Sequence, residues 1–209
     1  MGSNIKCRAR KNKPAQKTML LVVEGTTEKI YFERLKGLER YSSLKIRPDL
    51  PKHSNLRTLL DYAKEEQKSG AYDYVWLVFD RDVLLTQKLP KATLDLINNP
   101  DKLKGQGIEV ADSMPCFEAW FLLHYVLPKQ NYKNQDVLIK ELCKYISGYC
   151  KKQEWLDKND IYKLLKNNLN VALENAKLLR ARNQDSYSGD YTMCNVDLLI
   201  DEIQNLGKK

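Results

Sequence analysis

Two uninterrupted apolar runs, each stopped by acids, constrain the fold of this chain more than any other feature. They are Met19-Leu20-Leu21-Val22-Val23 before Glu24-Gly25, and Tyr74-Val75-Trp76-Leu77-Val78-Phe79 before Asp80-Arg81-Asp82. A strand with one wet face alternates apolar and polar residues. A continuous run therefore implies burial on both faces, as in a parallel sheet covered by helices. The sequence between and after the runs fits that arrangement. Thr26 or Thr27 can cap a helix that carries Ile30, Tyr31, Leu35 and Leu38 at helical spacing. Residues 44–50 alternate Leu44 and Ile46 with Lys45 and Arg47, and Pro48 and Pro51 point to an edge strand. An amphipathic helix is expected over 55–68, with Leu56, Leu59, Leu60 and Ala63 on one side, another near 91–98, and a further strand at 107–111. This β-α-β-α-β-α-β order predicts an α/β fold with a mainly parallel sheet flanked by helices.

Beyond residue 115 the pattern reads as wholly helical, with helices expected over 115–126, 134–147, 158–167, 170–183 and 195–206. Tyr187-Ser188-Gly189 separates the last two. The expected organisation is a basic arm over 1–17 followed by one domain over 18–209. That domain has an α/β part over 18–114 and a mostly helical part over 115–209.

Composition narrows the function classes. No apolar run approaches the roughly 18 residues that span a bilayer, and the N-terminal residues are basic and polar rather than signal-like. Gly2 follows Met1, but Lys6 stands where a myristoylation signal needs Ser or Thr. The five cysteines are an odd number without a C-x-x-C pair, which argues against a disulfide framework or a zinc site and for a reducing, cytoplasmic location. Of the net charge of +8, residues 1–17 carry Lys6, Arg8, Arg10, Lys11, Lys13 and Lys17 and no acid. Such an arm can lie on phosphates or grip a partner, or it can simply be solvated.

The acids that end the two runs are the candidate chemistry. Parallel sheets bind ligands beyond the carboxyl ends of their strands, which is where Glu24, Asp80 and Asp82 fall. If the chain stays extended past Phe79, Asp80 and Asp82 point together and Arg81 turns away. Gly25 permits a sharp turn beside Glu24, and Glu28 follows one helical turn later. Carboxylates that converge without a paired base repel one another, and a divalent cation relieves the repulsion. Oxygen-only ligation suits Mg²⁺ or Mn²⁺. A surface turn is the competing reading of Asp-x-Asp. With only His53 and His124, and no P-loop or G-x-G-x-x-G, other catalytic classes have little to draw on.

Three segments carry a family resemblance. Glu24-Gly25-Thr26-Thr27-Glu28-Lys29-Ile30-Tyr31-Phe32 resembles the EG-x-x-TE-x-x-YF opening of the RloB-like family, and Asp80-Arg81-Asp82 resembles its DRD element. Ser113 to His124, with Pro115-Cys116-Phe117-Glu118-Ala119-Trp120 at its centre, resembles its S-x-PCFE-x-W-x-LLH segment, except that Met114 stands where many relatives carry Asn. The resemblance implies a TOPRIM-like fold in which Glu24, Asp80 and Asp82 bind Mg²⁺. It also implies a bacterial restriction or phage-defence setting, with cleavage of DNA or RNA during abortive infection.

Pro115 suits the first turn of a helix, and Glu118 then falls near that helix's positive end, as a ligand or as a capping residue. Phe117, Trp120 and Phe121 are expected in the core and Cys116 as a small buried residue, while His124 can be a general acid/base or a packed side chain.

The leading expectation is a metal-dependent nuclease. Glu24, Asp80 and Asp82 would hold the metal, Glu28 or Glu118 would complete the site or act as base, and Lys29, Lys52, Arg57 and Arg81 would contact phosphates. The alternatives are a non-catalytic subunit that binds nucleic acid or a partner ATPase of a defence complex, as an oligomer or alone, and a nucleotidyl transferase using the same acids.

Overall fold

The structure is a computed structural model and describes residues 17–47, 55–184 and 191–207. The basic arm up to residue 16, Lys52 and Tyr187-Ser188-Gly189 lie outside the described residues. The elements follow in the order β1 (Met19–Val23), α1 (Thr26–Glu39), β2 (Leu44–Arg47), α2 (Leu56–Ser69), β3 (Tyr74–Asp80), α3 (Val83–Thr86), α4 (Lys91–Ile97), α5 (Pro100–Lys104) and β4 (Ile108–Met114). Next come α6 (Glu118–Leu123), α7 (Gln135–Leu142), α8 (Gln153–Lys158), α9 (Ile161–Leu165), α10 (Leu169–Gln184), β5 (Met193–Cys194) and α11 (Val196–Gly207).

The five strands form one sheet in the order β2-β1-β3-β4-β5. The first four are parallel and β5 is antiparallel to β4, so this α/β fold has a mostly parallel sheet flanked by helices. β1 and β3 are buried along their apolar length, as their continuous runs require. Alternate residues serve two separate cores. Leu20, Val22, Val75, Leu77 and Phe79 pack with Leu56, Leu59 and Leu60 of α2, Ile97 of α4 and Leu103 of α5. Met19, Leu21, Val23, Trp76 and Val78 face α1 and the C-terminal helices. β2 is the edge strand that its prolines suggested.

Several local expectations are corrected. The C-terminal part is not wholly helical, because β5 pairs with the end of β4, Ser113 opposite Cys194 and Met114 opposite Met193. The expected strand at 107–111 runs on through Met114. Pro115 precedes α6 instead of opening it, at a cis Met114–Pro115 bond. The helix expected over 158–167 divides into α8, α9 and a 3-10 turn. Neither Thr26 nor Thr27 caps α1; Gly25 stands at the N-cap without a side-chain hydrogen bond.

Candidate functional site

Within the sheet order, the chain leaves β1 for β2 on one side and β3 for β4 on the other. The carboxyl ends of β1 and β3 therefore flank the topological switch point, the place where open parallel sheets bind ligands. Glu24 follows β1 and Asp80 ends β3, and the two are tied directly. The Glu24 N–H donates to Val78 O at 3.0 Å, and the Asp80 N–H donates to Glu24 Oε2 at 3.3 Å.

Asp82 reaches the same region by another route than expected. The chain has already left the extended conformation there (φ −61°, ψ −23°), and Asp82 begins α3 instead of standing two strand positions beyond Asp80. Its charge still acts on Glu24.

Glu28 and Glu118 come from two further elements, and the aromatic residues of their own motifs place them. Tyr31 and Phe32 lie one turn beyond Glu28 on α1, and Phe117 and Phe121 flank Glu118. The Tyr31–Phe117 and Phe32–Phe117 ring centroids are 5.7 and 5.8 Å apart. The Trp120 Nε1–H donates to Tyr31 Oη at 2.9 Å and locks α6 to α1. Phe117, Trp120 and Phe121 are thus core residues as expected, at no more than 1% exposure. Gly25 leaves room here for the Glu28 carboxylate, which would have to move for a larger residue. A Cβ on it would stand 2.2 Å from Glu28 Oε2, so the carboxylate lies directly over the glycine.

Glu28 and Glu118 are almost wholly buried, at 4% and 0% exposure. Burial pushes Glu24 up to about 7 against the pull of the Asp80 N–H and Lys151, with Asp82 adding to the rise. Burial likewise pushes Glu28 up to about 7, with Glu118 and Glu24 as repelling neighbours. Asp80 is held well above the ordinary carboxylate range by burial and by Glu28, Glu118 and Glu24. Asp82 is raised by burial. Five acids from β1, α1, β3, the start of α3 and α6 therefore share one electrostatic field.

Two residues of the cluster were missed from the sequence. The Tyr149 Oη–H donates to Glu118 Oε1 at 2.7 Å, and Lys151 Nζ stands 3.0 Å from Glu118 Oε2. Both come from a segment between α7 and α8 that is neither helix nor strand. Burial opposes the Lys151 charge, but Glu118, Cys116 and Asp80 outweigh it and raise its pKa. The one sequence signal was their spacing. Residues two apart in a non-helical segment can present their side chains to the same side.

One buried carboxylate oxygen in the cluster, Asp80 Oδ1, has no hydrogen-bond partner, whereas Glu118 Oε2 is met by the Lys151 ammonium at 3.0 Å. An orphaned carboxyl oxygen among mutually repelling acids is a donor that a hard divalent cation can satisfy. Among the described residues, however, no three His, Cys, Asp or Glu side chains are drawn together into a finished ion cage.

The other candidates take different places. Arg81 turns away from the acids and is held by Asp112 at 2.7 Å and Asn98 at 2.8 Å. Asn195 bonds the second Asp112 oxygen at 2.8 Å. Lys29 is half-buried on the first turn of α1. Arg57 is exposed on the first turn of α2, 3.7 Å from Asp61, and lines a groove of about 570 Å³ with Asn55, Gln87, Lys88, Leu89 and Pro90. The groove opens at the carboxyl side of the sheet but contains none of the five acids. His124 packs on Trp120 with ring centroids 4.8 Å apart, and Nδ1 meets Trp120 O at 2.9 Å. Burial lowers it to about 4. Cys116 is buried and its thiol is held well above the usual range by burial, Glu118 and Asp80, so it is no nucleophile. No described helix is long and apolar enough to cross a membrane.

No curated protein and no solved structure gives a significant match to this chain. The family model for RloB-like proteins, in contrast, matches residues 19–203, from the first residue of β1 into α11 and across all five acids and Lys151. The chain belongs to the RloB-like protein family.

Proposed function

We propose that the protein is a TOPRIM-like, Mg²⁺- or Mn²⁺-dependent nuclease that hydrolyses phosphodiester bonds in DNA or RNA, acting in bacterial defence against phage. The observation that carries this reading is the cluster of five acids at the switch point of a parallel sheet, with an orphaned oxygen on Asp80. Glu24, Asp80 and Asp82 would hold the ion, which supplies Lewis-acid activation of water and charge neutralisation at the phosphate. Glu28, pressed on Gly25 and raised to about 7, is suited to take a proton near neutral pH. Tyr149 fixes Glu118 through Oε1 and so orients the carboxylate from behind. Arg57 and Lys88 in the neighbouring groove give a polyanion a basic approach. The defence setting, the TOPRIM identity and the cytoplasmic location rest on the family resemblance.

A second reading is favoured by Lys151, whose ammonium already offsets part of the acid charge. In that reading the cluster is structural, and the chain is a binding subunit for nucleic acid or a partner ATPase. Incubating plasmid DNA and tRNA with Mg²⁺ or Mn²⁺ separates the two. Cleavage by wild type that is lost in Glu24→Ala and Asp80→Ala is expected. Equal behaviour of all three proteins would sink the nuclease and leave the binding subunit.

A further inference from the structure

We infer that Arg81 is a positioning residue for Asp80 and Asp82, held by a brace of hydrogen bonds that runs from Asn98 through Arg81, Asp112, Asn195 and Arg180 to Asp197. The inference rests on those two acids serving the proposed phosphodiester cleavage, and it adds the residues that hold them in place.

The two acids do little to hold themselves. Asp80 Oδ1 has no hydrogen-bond partner, and Asp82 stands at the N-cap of α3 without a side-chain hydrogen bond to the helix. Arg81, between them, is held at its N–H, its carbonyl and its guanidinium. The N–H donates to Ser113 O at 2.8 Å, and the carbonyl accepts the Leu84 N–H at 3.0 Å. The guanidinium donates to Asp112 Oδ2 at 2.7 Å and to Asn98 Oδ1 at 2.8 Å. A planar fork held at two nitrogens is fixed in direction as well as in distance. The chain passes from β3 into α3 across Arg81, so the seat of this residue sets the directions of both neighbouring acids.

The seat is itself anchored in the C-terminal helices. Asp112 is buried on β4; one of its oxygens takes Arg81 and the other takes the Asn195 Nδ2–H at 2.8 Å. The Asn195 N–H donates to the Asp112 carbonyl at 2.9 Å. Asn195 Oδ1 accepts from Arg180 of α10 at 2.8 Å, and Arg180 grips both oxygens of the wholly buried Asp197 on α11. Two guanidinium groups thus face two carboxylates, and the brace is balanced in formal charge, unlike the acid cluster beside it. Buried ion pairs give little stability beyond what apolar packing supplies. What they supply here is direction, carried from α10 and α11 to the turn between the acids.

Asn98→Ala, at the exposed end of the brace, and Asn195→Ala, at its centre, each cut it without unpairing a charge. The test compares both with wild type, as full chains, in two measurements. In metal-free protein, hydrogen exchange at the Arg81 and Leu84 amides is expected to accelerate at least tenfold more than at Leu20–Val22. In cleavage of plasmid DNA or tRNA with Mn²⁺, kcat is expected to fall about tenfold while KM stays within about twofold. Exchange that does not rise preferentially at Arg81 and Leu84 overturns the brace. Faster local exchange with unchanged kcat overturns the positioning role and leaves the nuclease standing. No cleavage by wild type sinks the nuclease reading and the inference with it. Should Asn195→Ala fail to fold, Asn98→Ala carries the same expectations from an exposed position.

Discussion

Replacing Glu28 by Gln should stabilise the metal-free protein at pH 8 and do little at pH 5. Glu28 is buried, and its carboxyl is pushed from 4.5 to about 7 by burial and by Glu118 and Glu24. The sign follows from linkage. A group whose folded pKa is raised gives its full stability below the unfolded value, and that stability is lost as pH rises through the folded value. At about 1.4 kcal/mol per pH unit, the ionised carboxylate costs the fold up to roughly 3 kcal/mol at pH 8. The neighbouring acids relax in part when one of them is neutralised, so the net gain for Glu28→Gln is expected at about 1–3 kcal/mol. For a domain of this size that is a rise in Tm of about 3–9 °C. Thermal unfolding by circular dichroism in a chelator-containing buffer, at pH 5 and pH 8, measures it. His124 also titrates across this range, but it is present in both proteins and cancels in the difference. Divalent cations should raise the Tm of wild type at pH 8 more than that of Glu28→Gln. A variant less stable than wild type at pH 8, or equally stabilised at both pH values, would refute the electrostatic reasoning.

Other expectations follow from single contacts. Gly25→Ala puts a Cβ where Glu28 Oε2 lies, 2.2 Å away; the fold should survive, while the Mn²⁺-induced rise in Tm falls by at least half. Arg81→Leu leaves Asp112, 2% exposed, without its cationic partner; urea unfolding should show a loss of about 3 kcal/mol, and phosphate affinity should not change once the protein is folded. His124, lowered to about 4 by burial, must stay neutral in the fold. The unfolded chain therefore takes up the extra proton between pH 6.5 and 4 and stability falls with pH there; urea midpoints of His124→Leu should show a shallower acid-side decline than wild type, and an unchanged slope would contradict the assignment.

The parts of the fold legible in the sequence were those where the side-chain pattern has a single solution. Met19–Val23 and Tyr74–Phe79 read as strands covered on both faces, and the prolines after Ile46 suggested an edge, as found. Glu24 and Asp80 were legible for the same reason, since an acid that directly follows such a strand is fixed at the sheet's carboxyl edge.

Asp82 was misread in conformation because nothing in Asp-Arg-Asp reveals that the chain enters the αR region after Asp80. The two-residue β5 is too short to leave an alternating pattern and depends on its pairing with Ser113 and Met114. Lys151 and Tyr149 were invisible for a deeper reason. They lie in Gly148-Tyr149-Cys150-Lys151-Lys152, which reads as an ordinary polar turn, and only tertiary packing carries it to Glu118. The aromatic residues of the two motifs were legible as core. Their second duty, setting α1 against α6 so that Glu28 and Glu118 converge, is a property of contact and not of spacing.

The claim on which the rest depends is that the five acids form a divalent-cation site. Its most direct measurement is the anomalous difference map of a crystal grown with Mn²⁺ at pH 8. The expected result is a peak bounded by Glu24, Asp80 and Asp82. A map with no peak among these acids at Mn²⁺ concentrations of about 10 mM, near the weak end of protein affinities, would contradict the account.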